Sequence, residues 1–478
     1  MKTYETIIGL EIHAELNTNT KIFCNCSTEF GAEPNAHTCP VCMGLPGTLP
    51  VLNKEVVKLA IKAGKILGCK INKVNKMDRK NYFYPDLPKA YQISQYDLPI
   101  CSGGSLEFEL DGVKKKVRLN RIHIEEDAGK LVHLADEPVS LIDYNRVGVP
   151  LAEIVTEPDL RSPKEAVAFM KTLRSMLQYG EISDCKMEQG SLRCDANISM
   201  REVGSDKFNC KVEIKNLSSF RELQKALEKE EKRQRELYNF GEEFKIKQET
   251  RRWDAGKGKT VAMRSKEDAN DYRYFPDPDL APIIIKDDQI EEIKNTIPEL
   301  PKDKKIRFME NYKLGEKEAN ILIDDKTLGE FYENTVKCGA DSKTTANWIL
   351  VDVLRILKEK EMDSSLMSLK PEKLYKLIKL VENGKISATA AKEVFDDMFE
   401  SGKDPENIVK EKGLTQISSS DVLDEIVGKV LGENPKSVED YKSGKTQAAG
   451  YLVGQVMKAS KGKANPKLAR ELIIKKLK

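Results

Sequence analysis

Four stretches in the first half of the chain alternate apolar and polar residues one for one, and nothing else in the sequence restricts its fold as tightly. In "GLEIHAEL", Leu10, Ile12, Ala14 and Leu16 fall on one side and Glu11, His13 and Glu15 on the other. "RIHIEEDAGKLVH" sets Ile122 and Ile124 against His123, Glu125 and Asp127. "SLRCDANIS" sets Leu192, Cys194, Ala196 and Ile198 against Arg193, Asp195, Asn197 and Ser199, and "KVEIKN" sets Val212 and Ile214 against Lys211, Glu213 and Lys215. A period of two belongs to a strand, so each stretch predicts a half-buried strand with a charged outer face, as antiparallel sheets show. The intervening "MREVGSDKFNC" holds a Gly-Ser-Asp turn and predicts that the last two strands form a hairpin whose polar faces coincide.

Well-capped helices interrupt these strands. "SPKEAVAFMKTLRSMLQYG" offers Ser162 as N-cap, Pro163 at the first position, Glu165 to close a capping box and Gly180 as a stop; Ser219, Glu222 and Gly241 frame a second helix. Beyond "DPDLAPIII" the period becomes helical. Ile349, Val353 and Ile356 recur in one run, and Leu374, Leu377, Ile378 and Val381 in another. "SGKDPENIVKEKG", rich in charge, Gly and Pro, reads as a hinge to a last small helical unit. The chain is therefore expected to be α+β: an antiparallel-sheet domain over residues 1–292, an all-α domain over 293–408 and a small all-α tail over 409–478.

At 478 residues, with 40% hydrophobic and 33% charged residues, the chain can build several cores. No apolar run reaches the length of a membrane span and no signal-peptide pattern opens the sequence, so the expected location is the cytoplasm and no membrane partner is expected. A net charge of +2 excludes nucleic-acid binding by the whole surface and requires a local basic patch. The tail holds one: after Asp440 the only acid is Glu471, against Lys442, Lys445, Lys458, Lys461, Lys463, Lys467, Arg470, Lys475, Lys476 and Lys478. Such lysines fit either a solvated helical face or contact with an RNA backbone.

Two patterns carry chemistry. In "CNCSTEFGAEPNAHTCPVC", Cys24, Cys26, Cys39 and Cys42 form two close pairs that can close a tetrahedron around zinc, with His37 as an alternative ligand. Disulfides are the competing reading, disfavoured by a reducing compartment, and four sulfurs leave no open position for catalysis. Cys69, Cys101, Cys185, Cys194, Cys210 and Cys338 read as reduced, mostly buried thiols. The second pattern is the set of acidic strand faces mixed with Arg, Lys and Asn. A solvated sheet face explains one of them; several together suit magnesium and a nucleotide, with carboxylates for the metal and cations for the phosphates. "SGKT" at Ser443 and "GKGKT" at Gly256 are not P-loops, because Glu439 and Trp253 stand where the first glycine is required.

These motifs, with "TCPVCMGLPGTLPVLN", "KMDRKNYFYPDLPKAYQISQYDLPI", "VGVPLAEIVTEPDLRSP" and "DYRYFPDPDLAPI", resemble the B-subunit family of tRNA-dependent amidotransferases, GatB, over the whole chain. The resemblance implies a glutamine-synthetase-like catalytic cradle, a helical domain and a YqeY-like tail that holds tRNA. It implies ATP-dependent phosphorylation of the side-chain carboxylate of Glu-tRNA(Gln) or Asp-tRNA(Asn), followed by amidation with ammonia delivered from an amidase-type A subunit, with a small C subunit completing a heterotrimer. The cofactors implied are ATP, Mg2+ and a structural Zn2+ on Cys24, Cys26, Cys39 and Cys42. Glu11, His13 and Glu125 fall on the family's magnesium site, and the site extends to Glu153, Asp195 and Glu213; Arg193, Lys215 and Arg273 are the candidates for phosphate contacts. Glu15 is read as structural. Two rivals remain: a non-catalytic tRNA-binding scaffold, and a hydrolase using Glu11, His13 and Glu125 to activate water.

Overall fold

All four alternating stretches enter one sheet, the second only as far as Glu126, since its end, Lys130–His133, pairs instead with Ser140–Asp143 in a separate ladder. The computed structural model describes residues 3–134, 138–263, 271–416, 420–460 and 464–477, so Lys461, Lys463 and Lys478 of the basic tail lie outside the described residues. The strands that matter for the site are β1 (Tyr4–Glu15), β2 (Asp78–Asn81), β3 (Tyr91–Ser94), β4 (Val113–Glu126), β5 (Pro150–Thr156), β6 (Leu192–Glu202), β7 (Val212–Lys215), β8 (Glu249–Asp254), β9 (Lys259–Ala262) and β10 (Phe275–Pro276). The main sheet runs β9-β8-β7-β6-β1-β5-β4, then the short strands Cys101–Ser102 and Lys70–Ile71, with Ser105–Leu110 paired to the first half of β4. Its ladders are antiparallel except that of β7 with β8, which is parallel. The β6–β7 hairpin forms with Asn197 opposite Glu213, so the two polar faces do coincide.

The apolar face of this sheet meets three helices: α1 (Lys54–Ile66), α2 (Pro163–Tyr179) and α3 (Phe220–Asn239). Ile8, Ile12, Ile124, Ile154 and Ile198 from the strands and Phe169, Leu173, Leu223 and Leu227 from the helices are wholly buried in one core. Each such side chain stabilises the fold by about 1.5–3 kcal/mol relative to exposure. Ser162 and Ser219 cap their helices as predicted, accepting from the N–H groups of Glu165 and Glu222. In both boxes the glutamate reaches one residue further back than expected, to the N–H of Arg161 and of Ser218.

The opposite, polar face is covered over part of its extent. A second, three-stranded sheet in the order β10-β2-β3 packs β3 against β4: Gln92 donates to the Glu126 carbonyl at 2.6 Å and the Ile93 N–H to the Glu126 carboxylate at 2.8 Å. This cover turns the acidic face into the wall of a cleft.

The chain divides into two compact units, residues 1–301 and 302–478. The second is all helical among the described residues and carries two cores. Ile349, Val353 and Ile356 are buried together, but the helix that carries them contains a π turn at Trp348–Val353. Side-chain spacing did not reveal it, because one wide turn barely alters an i, i+4, i+7 pattern. The stretch read as a hinge is largely a helix, Pro405–Lys412, whose Ile408 and Val409 enter the core. Its Pro and Gly are helix punctuation, Pro405 at the first position and Gly413 as a left-handed cap at φ +62°. Leu423, Val427, Leu452, Val456 and Ile473 form the last core, outside which Lys442, Lys445, Lys458, Lys467, Arg470, Lys475 and Lys476 are exposed. Of these, Lys445 pairs with Asp440 and Lys476 with Asp424. Among the described residues no helix is long and apolar enough to cross a membrane.

Candidate active site

Strand register assembles the site. β1 lies between β5 and β6, which puts His13 opposite both Glu153 and Arg193 and Glu11 opposite Asp195; β5 in turn places Glu153 opposite His123 of β4. The side chains therefore converge from three strands far apart in sequence. His13 Nε2 stands 3.3 Å from Glu153, 3.6 Å from Glu125 and 3.9 Å from Glu11. His123 Nε2 stands 3.1 Å from Glu153 and 3.6 Å from Glu125. Ser94 of the covering sheet donates to Glu125 at 3.0 Å.

Two overlapping groups result, Glu11–His13–Glu153 and His123–Glu125–Glu153, each with its ligand atoms within 4.8 Å of one another, and Glu153 belongs to both. His123, Glu125 and Glu153 have side chains only 3%, 4% and 10% exposed, and the Nδ1 of His123 is buried without a partner. Carboxylates so close and so dry repel unless positive charge lies between them. Here the imidazoles supply it. Burial alone would lower His123, yet the Glu153 and Glu125 carboxylates outweigh it and lift the imidazole to about 9. Burial would likewise raise Glu153, but His123 and His13 hold it well below the usual range. Glu11, at the more open end, is raised by burial and by Glu153. The donor set, three carboxylates and two imidazoles, fits a hard or borderline divalent cation that replaces those protons.

Cations flank the cluster on both sides. Lys215 bonds Asp195 at 2.6 Å and lies 3.4 Å from Glu213, whose other oxygen accepts from Thr250. Arg193 bonds the buried Asp127 at 2.5 Å, and Arg146 reaches the same carboxylate at 3.2 Å. Glu15 sits beside this pair, pushed up to about 7 by burial and by Asp127. Arg273, by contrast, is exposed; its backbone carbonyl accepts from Asn81 and its φ is +44°. Of the residues singled out from sequence, Glu11, His13, Glu125 and Glu153 meet at one point, while Asp195, Glu213 and Lys215 form an adjoining group. Arg193 is anchored just beyond His13, and Arg273 does not join them.

Sequence reasoning left out two members. His123 shares the outer face of β4 with Glu125, and its place opposite Glu153 follows only from the β4–β5 register. Lys80 of β2 lies 4.9 Å from the Tyr272 ring centroid; burial would lower its ammonium, and Glu125 with its neighbours raises it instead. No alternation marks Lys80, because it belongs to the covering sheet.

Cys24, Cys26, Cys39 and Cys42 come together as predicted, with their sulfurs within 4.8 Å of one another. The Cys39 N–H donates to the Cys42 sulfur at 3.1 Å, the turn geometry of a metal knuckle. A hydrogen bond from Cys24 pushes Cys42 down to about 5, the direction that favours a thiolate ligand. His37 is not part of this group, and its backbone rather than its imidazole is what the structure engages, the carbonyl accepting from Lys21 and the N–H donating to Asn145. The other six cysteines are free thiols, four of them buried.

Comparison with known proteins identifies the family. Residues 6–291 match the GatB/GatE catalytic domain and residues 330–477 the GatB domain. The chain is 67% identical to one of the aspartyl/glutamyl-tRNA(Asn/Gln) amidotransferase B subunits of Clostridium acetobutylicum, over 99% of each chain. It is 68% identical to the corresponding B subunit of Clostridium beijerinckii and 56% identical to that of Thermoanaerobacter pseudethanolicus, again over 99% of each chain. Two matched domains in the family's order, with near-complete coverage of its relatives, make this chain a member of the GatB family, the B subunits of aspartyl/glutamyl-tRNA(Asn/Gln) amidotransferases.

Proposed function

We propose that the cleft between the two sheets is where the side-chain carboxylate of Glu-tRNA(Gln) or Asp-tRNA(Asn) is phosphorylated by ATP and then amidated. One observation carries this reading: a buried acid–imidazole cluster flanked by cations on both sides, as a metal-bound triphosphate requires. A carboxylate resists ammonia because its charge repels the nucleophile and oxide cannot leave. Attack of its oxygen on the γ-phosphorus releases ADP and forms an acyl phosphate; ammonia then attacks the acyl carbon, phosphate departs and the nitrogen loses a proton. Glu11, His13, Glu125 and Glu153 would hold Mg2+, with His123 completing the set, and the ion would offset phosphate charge. Lys215 and Arg193 attract the polyphosphate, Asp195 and Glu213 hold Lys215 in place, and the covering sheet excludes water from the acyl phosphate.

Nothing in the described residues resembles a glutaminase, so the ammonia is read as coming from an amidase-type A subunit, with a small C subunit completing a heterotrimer in the cytoplasm. Zinc on the four cysteines is read as structural. The three separate hydrophobic cores support a reading in three parts, with the boundaries expected at 292/293 and 408/409 moved later, since Ile293 packs in the first core and Val409, within the helix Pro405–Lys412, in the second; the exposed lysines of the last part support a tRNA-holding tail. Neither rival gains support: a scaffold has no use for five buried or half-buried ionisable groups at one point, and a hydrolase does not need the flanking cations.

The test is amide formation by the chain assembled with its amidase-type and small partner subunits, supplied with ammonium, ATP and Glu-tRNA(Gln). Wild type should release ADP in step with Gln-tRNA(Gln), while Glu125→Gln should lose both activities and still bind tRNA. Equal turnover by the variant would remove the cleft from the reaction.

A further inference from the structure

Lys21 is among the largest wholly buried side chains of the molecule, and the chemistry above gives it no role. A buried ammonium without an anion is strongly unfavourable. Two other lysines sunk nearly as deep meet that cost with an acid: Lys89 pairs with Glu126, and Lys304 stands 3.3 Å from Glu333. Lys21 has no carboxylate within ion-pair distance among the described residues. Its Nζ instead stands 3.9 Å from the Cys42 sulfur, and it donates to the carbonyls of His37 at 2.6 Å and Tyr144 at 3.5 Å. The carbonyls replace water but carry no net charge, so the anion must come from the cysteines.

The four cysteines are not alike. Cys42 is buried, while Cys24, Cys26 and Cys39 are half-buried and open to screening by water. Four thiolates around a divalent ion leave a net negative charge, and it is least screened at the buried sulfur. That sulfur is the one against which the chain sets a cation, beside the Cys39 N–H. Lys21 also spans the knuckle: its backbone N–H donates to the Cys26 carbonyl at 3.0 Å, in the first cysteine pair, and its side chain reaches the second. We infer that Lys21 is the buried counter-charge of the four-cysteine centre, set to hold the knuckle's two halves around a zinc ion; the inference rests on the reading of those cysteines as a zinc site.

Lys21→Met keeps the length and apolar stem of the side chain and removes its charge and donors. In the assembled complex, zinc affinity read by competition with a chromophoric chelator should fall about 10–100-fold, the range for lost outer partners of metal ligands. With cobalt in place of zinc, the variant should still show the absorption of four coordinated thiolates, because no ligand has been removed. A counter-charge has a further signature that a packing role lacks. At one free zinc concentration, protease should cut the loop of residues 24–42 faster in the variant than in wild type; after chelation it should cut the variant no faster, because the ammonium then has no metal centre to offset. Unchanged zinc affinity would overturn the proposal. So would loss of the cobalt–thiolate absorption, or digestion faster by the same factor with and without metal, since either would make Lys21 a strut of the loop alone. If wild type binds neither zinc nor cobalt, the zinc reading of the cysteines fails and this inference with it, whereas a wild type that binds both and a variant that behaves identically overturn the inference alone.

Discussion

The four-cysteine knuckle and the acid–imidazole cluster are built in opposite ways. The knuckle draws all its ligands from residues 24–42, so the chain closes it locally. The cluster draws Glu11 and His13 from β1, His123 and Glu125 from β4 and Glu153 from β5, and exists only once three strands are in register. A local site can be seen in a spacing. A distributed one shows only as charged strand faces that could equally be wet.

This contrast can be broken or sharpened by measurement. The largest effect is expected at Glu153, shared by both groups: Glu153→Gln should lower amide formation and ADP release by about 10²–10³-fold, the scale of losing a charge-stabilising group, while zinc content measured by mass spectrometry stays unchanged. Retained turnover would dismiss the cluster as the reaction centre. Next comes the Cys39→Ser/Cys42→Ser double variant, which should lose its zinc and expose residues 20–50 to protease first. If that loop resists digestion without metal, the knuckle is not what orders it. Ser94→Ala removes the bond from the covering sheet to Glu125 and should cost about 10–100-fold in turnover or metal affinity, as lost outer partners of metal ligands do. An unchanged rate would mean that the cover does not position the cluster. The smallest effect belongs to neither site: Ser162→Ala should cost about 1 kcal/mol of stability in denaturant titration and leave turnover intact.

Much of the first unit was legible because its signals are local. Period-two alternation specified β1, β6 and β7 and the faces of Glu11, His13, Asp195 and Glu213, and Ser162 and Ser219 announced their helices. The misread hinge at 401–413 shows the limit of composition, since Pro and Gly mark helix ends as well as linkers. Arg273 shows the limit of charge, because a motif can carry an arginine whose side chain stays exposed.

The sequence by itself determined which residues face together on each strand, because side-chain direction in a strand alternates whatever its neighbours are. It also determined the cysteine site, whose ligands need only a short loop to meet. Only the tertiary structure decided that the acidic face is dry where His123, Glu125 and Glu153 meet. The cover comes from residues 78–81, 91–94 and 275–276, joined from distant parts of the chain where Phe275 pairs with Arg79, and none of these segments shows a pattern of its own. Burial by that sheet separates a solvated surface from a reactive one: the same carboxylates that water would screen must there share protons or bind a cation.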